Sequence, residues 1–224
     1  METFNRSEKK YLLDEVQYLE LMEKLKDHIK PDKYFETQIN SIYYDNRKFE
    51  LIRRSIEKPE YKEKLRVRSY GPAEADDKVF VELKKKFDGI VYKRRTKARC
   101  QEVLNDIYSA RFKDEQVGKE ILYALNYYGK LEPKIYIGCL RTSYTANDDE
   151  DLRITFDRDI VYRTRELGFK RNEKDKSLSD KTVMELKIKD AMPLWLTKIL
   201  DEVKAYPRGF SKVGTAFIKE LKGV

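Results

Sequence analysis

The sequence is poor in the residues that build disulfide-bonded or zinc-bound domains. It holds two cysteines, one histidine and one tryptophan among 224 residues. Cys100, Cys139 and His28 are too few for a four-ligand zinc site, and a histidine-based triad would have to use His28, which we interpret as a surface residue near a helix end. We therefore expect no disulfide, a reducing compartment, and a chemistry that does not depend on histidine.

Long apolar runs are missing as well. No stretch approaches the roughly 20 apolar residues that a bilayer-crossing helix needs, and the N-terminal METFNRSEKK lacks the apolar segment of a signal peptide. We expect a cytoplasmic protein. No repeat, low-complexity tract or linker divides the sequence, so residues 1–224 are expected to form a single domain.

Charge, in contrast, is abundant and unbalanced. Charged residues make up 39% of the chain, and 48 Lys and Arg against 40 Asp and Glu give a net charge of +8. The 16 Tyr and 10 Phe are spread along the whole chain, which excludes a disordered polyelectrolyte. A positive excess of this size indicates a polyanionic partner: nucleic acid, an acidic membrane surface or a phosphate-rich small molecule.

The cationic residues follow a strand period. In residues 62–71, KEKLRVRSYG, Leu65 and Val67 share one predicted face because strand side chains alternate. The other face carries Lys64, Arg66 and Arg68. A solvated sheet face would mix Ser, Thr, Gln, Lys and Glu, so a row of three cations is unusual.

The same pattern recurs in five other predicted strands. Each has an apolar face and a face of Arg and Lys, often with one carboxylate. These charged faces are Arg6, Glu8 and Lys10; Glu82, Lys84 and Lys86; Lys93 and Arg95; Arg153, Thr155 and Asp157; and Glu185, Lys187 and Lys189.

Two architectures accommodate such strands. An open sheet would leave the charges in water, whereas a closed barrel would put them inside, under an outer coat of helices. Interior cations need compensation by a bound polyanion, water and a few carboxylates, because each unpaired buried ion costs several kcal/mol. Arg and Lys around phosphate oxygens, with Glu left to hold a divalent cation, would supply it.

Helical periodicity alternates with these strands. It predicts helices over about 14–28, 49–55, 99–109, 114–127, 193–203 and 215–221. The segment 163–180 is rich in Lys, Arg and Asp, and we expect it to be a solvated excursion.

Seven short motifs occur along the chain in a fixed order. They are Arg6-x-Glu8-x-Lys10-Tyr11, Arg66-x-Arg68-x-Tyr70-Gly71, Val81-Glu82-x-Lys84, Tyr92-Lys93-Arg94-Arg95, Arg141 followed by Arg153-x-x-x-Asp157, Met184-Glu185-x-Lys187, and Phe210-Ser211-Lys212-x-Gly214-Thr215. Together they resemble the polyphosphate polymerase domain of the vacuolar transporter chaperone complex, the VTC domain, in the triphosphate tunnel metalloenzyme superfamily.

The resemblance implies an α+β fold with an antiparallel closed β-barrel, or tunnel, of about eight strands and helices packed outside. It implies transfer of the γ-phosphate of ATP onto polyphosphate, with Mn2+ or Mg2+ as cofactor. Glu185 matches the metal-binding glutamate and Ser211 a phosphate-contacting position. The basic tunnel positions, to which the resemblance gives the catalytic roles, are Lys10, Arg66, Arg68, Lys84, Arg141, Arg153 and Lys212.

The remaining candidates are less closely specified. Glu8 and Glu82 either assist metal binding or pair with neighbouring arginines. Alternation favours Lys93 and Arg95 as inward residues, but a slip of one residue would select Arg94 instead. The substrate-binding set is Arg6, Lys93, Arg95, Lys187 and Ser211.

Two positions depart from the family pattern. Arg6 stands where the hydrolytic branch of the superfamily has a glutamate, which favours the polymerase branch, and Cys139 stands where a polymerase would offer tyrosine. The alternatives are an inorganic or nucleoside triphosphatase of the same fold and a non-catalytic module that binds polyphosphate or nucleotides. Nucleic-acid binding is not expected. Any membrane protein partner would act in trans, and the oligomeric state stays open.

Overall fold

The computed structural model describes residues 7–88, 90–189 and 191–220. Within them the chain forms nine strands and six helices, so the expected α+β class is confirmed. The strands are β1 (Ser7–Leu13), β2 (Ile29–Asp45), β3 (Tyr61–Tyr70), β4 (Lys78–Phe87), β5 (Ile90–Arg99), β6 (Glu132–Ala146), β7 (Arg153–Arg163), β8 (Lys176–Ser179) and β9 (Thr182–Ile188). The helices are α1 (Glu15–Leu25), α2 (Glu50–Glu57), α3 (Cys100–Asp106), α4 (Glu115–Tyr127), α5 (Leu194–Glu202) and α6 (Lys212–Glu220).

The strands form a sheet in the order β1-β9-β7-β6-β2-β3-β4-β5, with β8 paired to β7 beside this path. The pairs β1–β9, β7–β9, β2–β3, β3–β4 and β4–β5 are antiparallel. Among the described residues, hydrogen bonds do not close this sheet. A mostly antiparallel sheet is therefore established, and the closed barrel is not confirmed.

The chain divides into two compact units. Unit 1 takes its described residues from Met1–Thr37, Cys139–Ile160 and Ser179–Phe210, and unit 2 takes its own from Gln38–Gly138, Val161–Leu178 and Ser211–Val224. Each unit has its own hydrophobic core, because the two clusters of buried apolar side chains do not share a residue.

In unit 2 the apolar face of β3, β4 and β5 is covered by α3 and α4. Leu65, Val67 and Val81 from the strands are at most 1% exposed, and they share a core with Val103 and Ile121 from the helices. Asp114 begins α4 by accepting a hydrogen bond from the Val117 N–H at 3.0 Å, which satisfies a donor that the first turn leaves unpaired. With the helices on one face, the charged face of these strands is left on the other.

Unit 1 is built in the same way. Ile154 and Leu186 from β7 and β9 lie in one core with Leu21 of α1 and Leu200 of α5. Asp14 caps α1, with its side chain accepting from the Gln17 N–H and the Gln17 side chain accepting from the Asp14 N–H. This reciprocal capping fixes where the helix begins.

The sequence-based boundaries differ from the structure at several elements. α1 ends at Leu25 rather than near residue 28, and α6 begins at Lys212 rather than near residue 215. β5 continues to Arg99, where a helix was expected to begin, and the segment 163–180, expected to be a solvated excursion, contains β8. No helix in the described part of the chain combines the length and the hydropathy that crossing a bilayer would demand.

Candidate functional site

The antiparallel register of β2 to β5 aligns charged side chains into rows across unit 2. Tyr43, Arg66, Glu82 and Arg95 are successive cross-strand partners in one row. A second row holds Ser41, Arg68, Phe80 and Lys97, and a third holds Lys64, Lys84 and Lys93. Since these rows are two residues apart along each strand, all eleven side chains lie on one side of the sheet. We call them the cationic face of unit 2.

Glu82 is the centre of this face and is 1% exposed. Its Oε2 accepts from Arg66, with Nε and Nη2 each 2.7 Å away, and its Oε1 lies 3.2 Å from Lys93 Nζ and 3.4 Å from Arg95 Nε. Desolvation alone would raise the pKa of Glu82, but the coulombic effect of Arg66, Arg68 and Lys93 outweighs it and lowers that pKa to about 2. The carboxylate is therefore held ionised by surrounding cations.

Two hydroxyl-bearing side chains of β2 orient the arginines of β3. Arg66 Nη1 donates to Tyr43 Oη at 3.2 Å, and Arg68 Nε donates to Ser41 Oγ at 3.1 Å. Desolvation opposes ionisation of Tyr43, but Arg66, Lys64 and Arg68 together lower its pKa to about 7. A phenol acidified to this degree reports a strongly positive local potential.

The sequence left open whether Lys93 and Arg95 or Arg94 shares the face of Glu82. Lys93 and Arg95 contact Glu82, whereas Arg94 Nε donates to Glu120 of α4 at 2.9 Å. Strand alternation therefore puts Arg94 on the opposite side of β5.

Ser211 and Lys212 lie at the start of α6, in unit 2. Lys64 Nζ donates to Ser211 Oγ at 3.3 Å, and the same oxygen accepts from the Gly214 N–H. A Cβ at Gly214 would come within 3.1 Å of Ile56 of α2, so the glycine permits this close packing. The contact brings Ser211 next to the row of lysines.

Unit 1 carries a second charged face, on β1, β9 and β7. Glu8, Lys187 and Arg153 form one cross-strand row, and Lys10, Glu185 and Thr155 form the next. Lys10 Nζ lies 3.4 Å from Glu8 Oε1 and 3.7 Å from Glu185 Oε2, and Lys187 Nζ lies 3.5 Å from Glu185 Oε1. These six residues, with Arg141 and Asp157, make up what we call the mixed face of unit 1.

Arg141 is fixed by Asp157. Its Nε and Nη2 donate to the two carboxylate oxygens at 2.5 and 2.7 Å, a bidentate geometry that is both strong and directional. Asp157 is 1% exposed. A guanidinium has five N–H donors, and this pair uses two of them.

The donors of unit 1 fit a divalent cation better than Glu82 does. Across residues 7–88, 90–189 and 191–220, no group of three or more His, Cys, Asp or Glu side chains is placed to hold a metal. Mg2+, however, uses one or two carboxylates and completes its shell with water and substrate phosphates. Glu8 and Glu185 supply two carboxylates on neighbouring strands, with lysine nitrogens 3.4–3.7 Å from their oxygens. Glu82 is a single carboxylate with three cations at the shorter distances of 2.7–3.4 Å.

The family model of the VTC domain matches residues 5–219 of the chain. The chain belongs to the VTC domain family. No curated protein shows a significant match to it.

Solved structures similar in fold to this VTC domain include two that are described as putative adenylate or adenylyl cyclases. One, from Bacillus halodurans, has a TM-score of 0.55 and 14% identity and covers 91% of this chain and 92% of its own. Another, HpAC1 from Hippeastrum, is described as having a dominant triphosphatase activity; its TM-score is 0.51, its identity 16%, and the coverage 95% and 94%. At these identities the similarity establishes the fold.

The VTC domain divides the predicted site residues between the two units. Unit 2 brings together Arg66, Arg68, Lys84, Lys93, Arg95 and Glu82, with Ser211 and Lys212 at the start of α6, and unit 1 brings together Glu8, Lys10, Arg141, Arg153, Glu185 and Lys187. Arg6 lies outside the described residues. Cys139 is buried and belongs to no disulfide in the described part of the chain.

Sequence reasoning missed Lys97 and three uncharged side chains of the cationic face. Ser41 and Tyr43, in TQINSIYYD, are two residues apart and share a strand face with the arginines that they orient. Phe80 lies two residues before Glu82, on the same side of β4. The period of two that identified the cations would have found all three if polar and aromatic residues had been included in the search.

Proposed function

We propose that this VTC domain transfers the γ-phosphate of ATP onto a polyphosphate chain, with the phosphates bound along the two charged faces. The observation that carries the proposal is the cationic face of unit 2, where one carboxylate, Glu82, lies among seven Lys and Arg side chains of β3, β4 and β5 in the described rows. Lys84 is directly opposite both Lys64 and Lys93. Like charges in direct opposition destabilise a sheet, and a bound polyphosphate would reverse that effect.

We further propose that residues 1–224 act as one tunnel domain, with the charged faces lining the interior of a closed barrel. Membership of the VTC family and the shared fold of the tunnel metalloenzymes support this architecture. In each unit the core and its helices lie behind the apolar face of the strands, as an outer coat of helices requires.

The reaction needs no nucleophilic side chain. Phosphoryl transfer passes through a loose transition state whose charge lies on the equatorial oxygens, so positioning and electrostatic stabilisation suffice. Arg66, Arg68, Arg141 and Arg153 would clamp phosphate oxygens, each arginine presenting a planar set of donors. Lys10, Lys84 and Lys212 would neutralise charge, and Lys93, Arg95, Lys187 and Ser211, with Arg6, would contact substrate.

Glu185, with Glu8 beside it, would hold the divalent cation. The cation, Mn2+ or Mg2+, would supply charge neutralisation of the phosphates when bound. We assign Glu82 to orienting Arg66, Lys93 and Arg95 because its oxygens are already enclosed by these cations. We also propose a cytoplasmic location and, where the reaction is coupled to transport, a membrane partner in trans.

Hydrolysis of inorganic triphosphate or nucleoside triphosphate is the second candidate. The specific observation in its favour is the similarity to HpAC1, with its dominant triphosphatase activity. Arg6 favours the polymerase, because the resemblance gives the hydrolytic branch a glutamate at that position.

Incubation with ATP and Mn2+, followed by separate assays for long-chain polyphosphate and free phosphate, tests the proposal. Accumulation of long-chain polyphosphate, lost in Arg68→Gln and retained in the exposed control Arg111→Gln, is expected. Release of free phosphate without polyphosphate would contradict the polymerase function and support the triphosphatase function. Tight binding of ATP or polyphosphate without turnover would identify a non-catalytic receptor.

A further inference from the structure

An aromatic ring interrupts the cationic face of unit 2. Phe80 lies between Arg68 and Lys97 in its cross-strand row, and its neighbour two residues along β4 is Glu82. The apolar residues of β4, Val79 and Val81, are buried on the other side of the strand. Phe80 is therefore placed among the phosphate-binding candidates rather than in the core.

Phe80 belongs to a cluster of aromatic and cationic side chains. The Arg95 guanidinium carbon lies 3.5 Å from the centroid of the Phe80 ring, and Lys97 Nζ lies 5.2 Å from it. The Tyr70 ring meets Phe80 edge-on with centroids 5.6 Å apart, and Arg95 is also 5.3 Å from the Tyr70 centroid. Tyr70 is 46% exposed, so the cluster is open to solvent on one side.

A cleft adjoins this cluster. It has a volume of about 420 Å³ and is lined by Phe80, Arg95, Thr96, Lys97, Lys113 and Asp114. It lies along β5, which is the end of the sheet path, beside the N-cap of α4. The cleft is thus bordered by an aromatic side chain, a guanidinium, two lysines and the Asp114 carboxylate.

We propose that Phe80, Tyr70 and Arg95 form a stacking subsite for the base of a nucleoside triphosphate. The inference rests on the proposed function, which requires that the triphosphate bind the cationic face. Aromatic rings and guanidinium planes are the groups on which bases stack in proteins, whatever the base. We therefore expect the subsite to favour nucleotides over inorganic triphosphate and to discriminate little between bases.

The spacing of the rows agrees with this position. Same-face neighbours along a strand are separated by about 6.7 Å, so the row of Glu82 and then the row of Lys84 follow the row of Phe80 in steps of that size. A base at Phe80 would leave its phosphates to extend past Arg66 and Arg95 toward Lys84 and Lys93. One ligand would then span the aromatic cluster and the cationic rows.

The test compares two ligands that differ only by the nucleoside. Dissociation constants are measured by calorimetry for ATP and for inorganic tripolyphosphate, both with Mg2+, on the wild type, Phe80→Leu and the control Phe87→Leu. Phe87 is on the same strand but seven residues away, on the opposite face, and is 49% exposed. We expect Phe80→Leu to raise the dissociation constant of ATP about tenfold, the usual size of one stacking interaction. The dissociation constant of tripolyphosphate should stay within twofold of the wild-type value. Phe87→Leu should change neither.

The ratio of the two constants separates the possible failures. If Phe80 only holds Arg95 in place, Phe80→Leu weakens both ligands equally and the base subsite is wrong. An unchanged dissociation constant of ATP in Phe80→Leu also overturns the base subsite. If the wild type binds neither ligand, the proposed function fails and the subsite fails with it. Should Phe80→Leu not fold, Tyr70→Leu provides the same comparison at an exposed position, and an unchanged ratio there counts against the proposal.

Discussion

Arg66 and Glu82 lie directly opposite each other on β3 and β4, and two nitrogens of the guanidinium converge on a single carboxylate oxygen at 2.7 Å. The other oxygen of Glu82 faces Lys93 and Arg95. One buried anion therefore organises three cations from two strands. The sequence left two roles open for Glu82, metal binding and ion pairing with neighbouring arginines, and these contacts are those of ion pairing.

The first prediction concerns the loss of that anion. Glu82→Gln leaves three cations without their shared partner, and breaking a buried pair in this way costs about 3 kcal/mol. We expect the free energy of unfolding, measured by urea denaturation, to fall by about that amount, and added tripolyphosphate to restore more stability in the variant than in the wild type. The exposed control Glu60→Gln should change neither quantity, and equal stability of the two variants would contradict the prediction.

The second prediction uses neighbouring arginines on opposite sides of β5. Arg95→Gln removes a donor from the cationic face, where a charge-assisted hydrogen bond is worth about 1.5–3 kcal/mol, so tripolyphosphate should bind at least tenfold more weakly. Arg94→Gln removes a partner of Glu120, and this variant should bind tripolyphosphate as tightly as the wild type. Calorimetric titration of both variants checks this, and a larger effect at Arg94 would mean that the functional face is the other one.

The third prediction is a titration of Tyr43. Its folded pKa of about 7 is below the unfolded value of about 10, so the unfolded state binds more protons between these values. This residue's contribution to stability is then complete above about pH 10 and is lost as the pH falls through about 7. Phenolate absorbance of the wild type should show one step near pH 7 that Tyr43→Phe lacks.

A bound polyanion supplies the control for this titration. Tripolyphosphate would offset Arg66, Lys64 and Arg68, which are the cause of the acidity, so it should move the step to higher pH. A step that stays in place with ligand bound, or no step below pH 9, would show that the potential on this face is weaker than the contacts indicate.

The fourth prediction concerns Glu185. Glu185→Gln removes one carboxylate from the proposed divalent-cation site and keeps nearly the same side-chain volume, so the Mn2+ concentration for half-maximal turnover should rise at least tenfold. The matched control is Glu202→Gln, which breaks the exposed pair with Lys24. Metal titration of activity is the measurement. If Glu185→Gln leaves the metal dependence of activity unchanged, Glu185 is not a metal ligand.

The fifth prediction concerns stability alone. Asp175 pairs with the buried Arg163, Nη1 to Oδ1 at 2.5 Å. Asp175→Asn leaves a buried guanidinium without its counter-ion and should lower the free energy of unfolding by about 3 kcal/mol. Glu173→Gln, at an exposed position two residues earlier, should have no measurable effect. The two variants are compared by urea denaturation.

The strands of the site could be predicted because their period is local. A residue two positions from Arg66 must share its face, so alternation predicted that Arg68 lies beside it. On β5 alternation favoured Lys93 and Arg95 over Arg94 but left a slip of one residue open, and only the pairing with β4 decided it. The closed tunnel came only from the resemblance, because alternation is the same in an open sheet.

The segment 163–180 could not be predicted in this way. Its charged composition suggested solvent, yet Arg163 is 4% exposed and Phe169 is 2% exposed. Arg163 is enclosed by Asp175 and by the carbonyl oxygens of Glu166, Gly168 and Lys170. Such a network exists only after the loop folds back on itself, and no periodicity in the sequence reveals it.

The connection between β4 and β5 has a consequence for evolution as well as for engineering. Phe87 pairs with Ile90, so two residues separate the strands. This count decides which alternate residues of β5 share the face of Glu82. Deleting or inserting one residue there would replace Lys93, Arg95 and Lys97 on that face by the even-numbered residues of the same strand, Arg94, Thr96 and Ala98, without any substitution in β5. The length of this loop therefore determines which side chains of β5 face the site. We expect the loop to tolerate substitutions far better than a change in length.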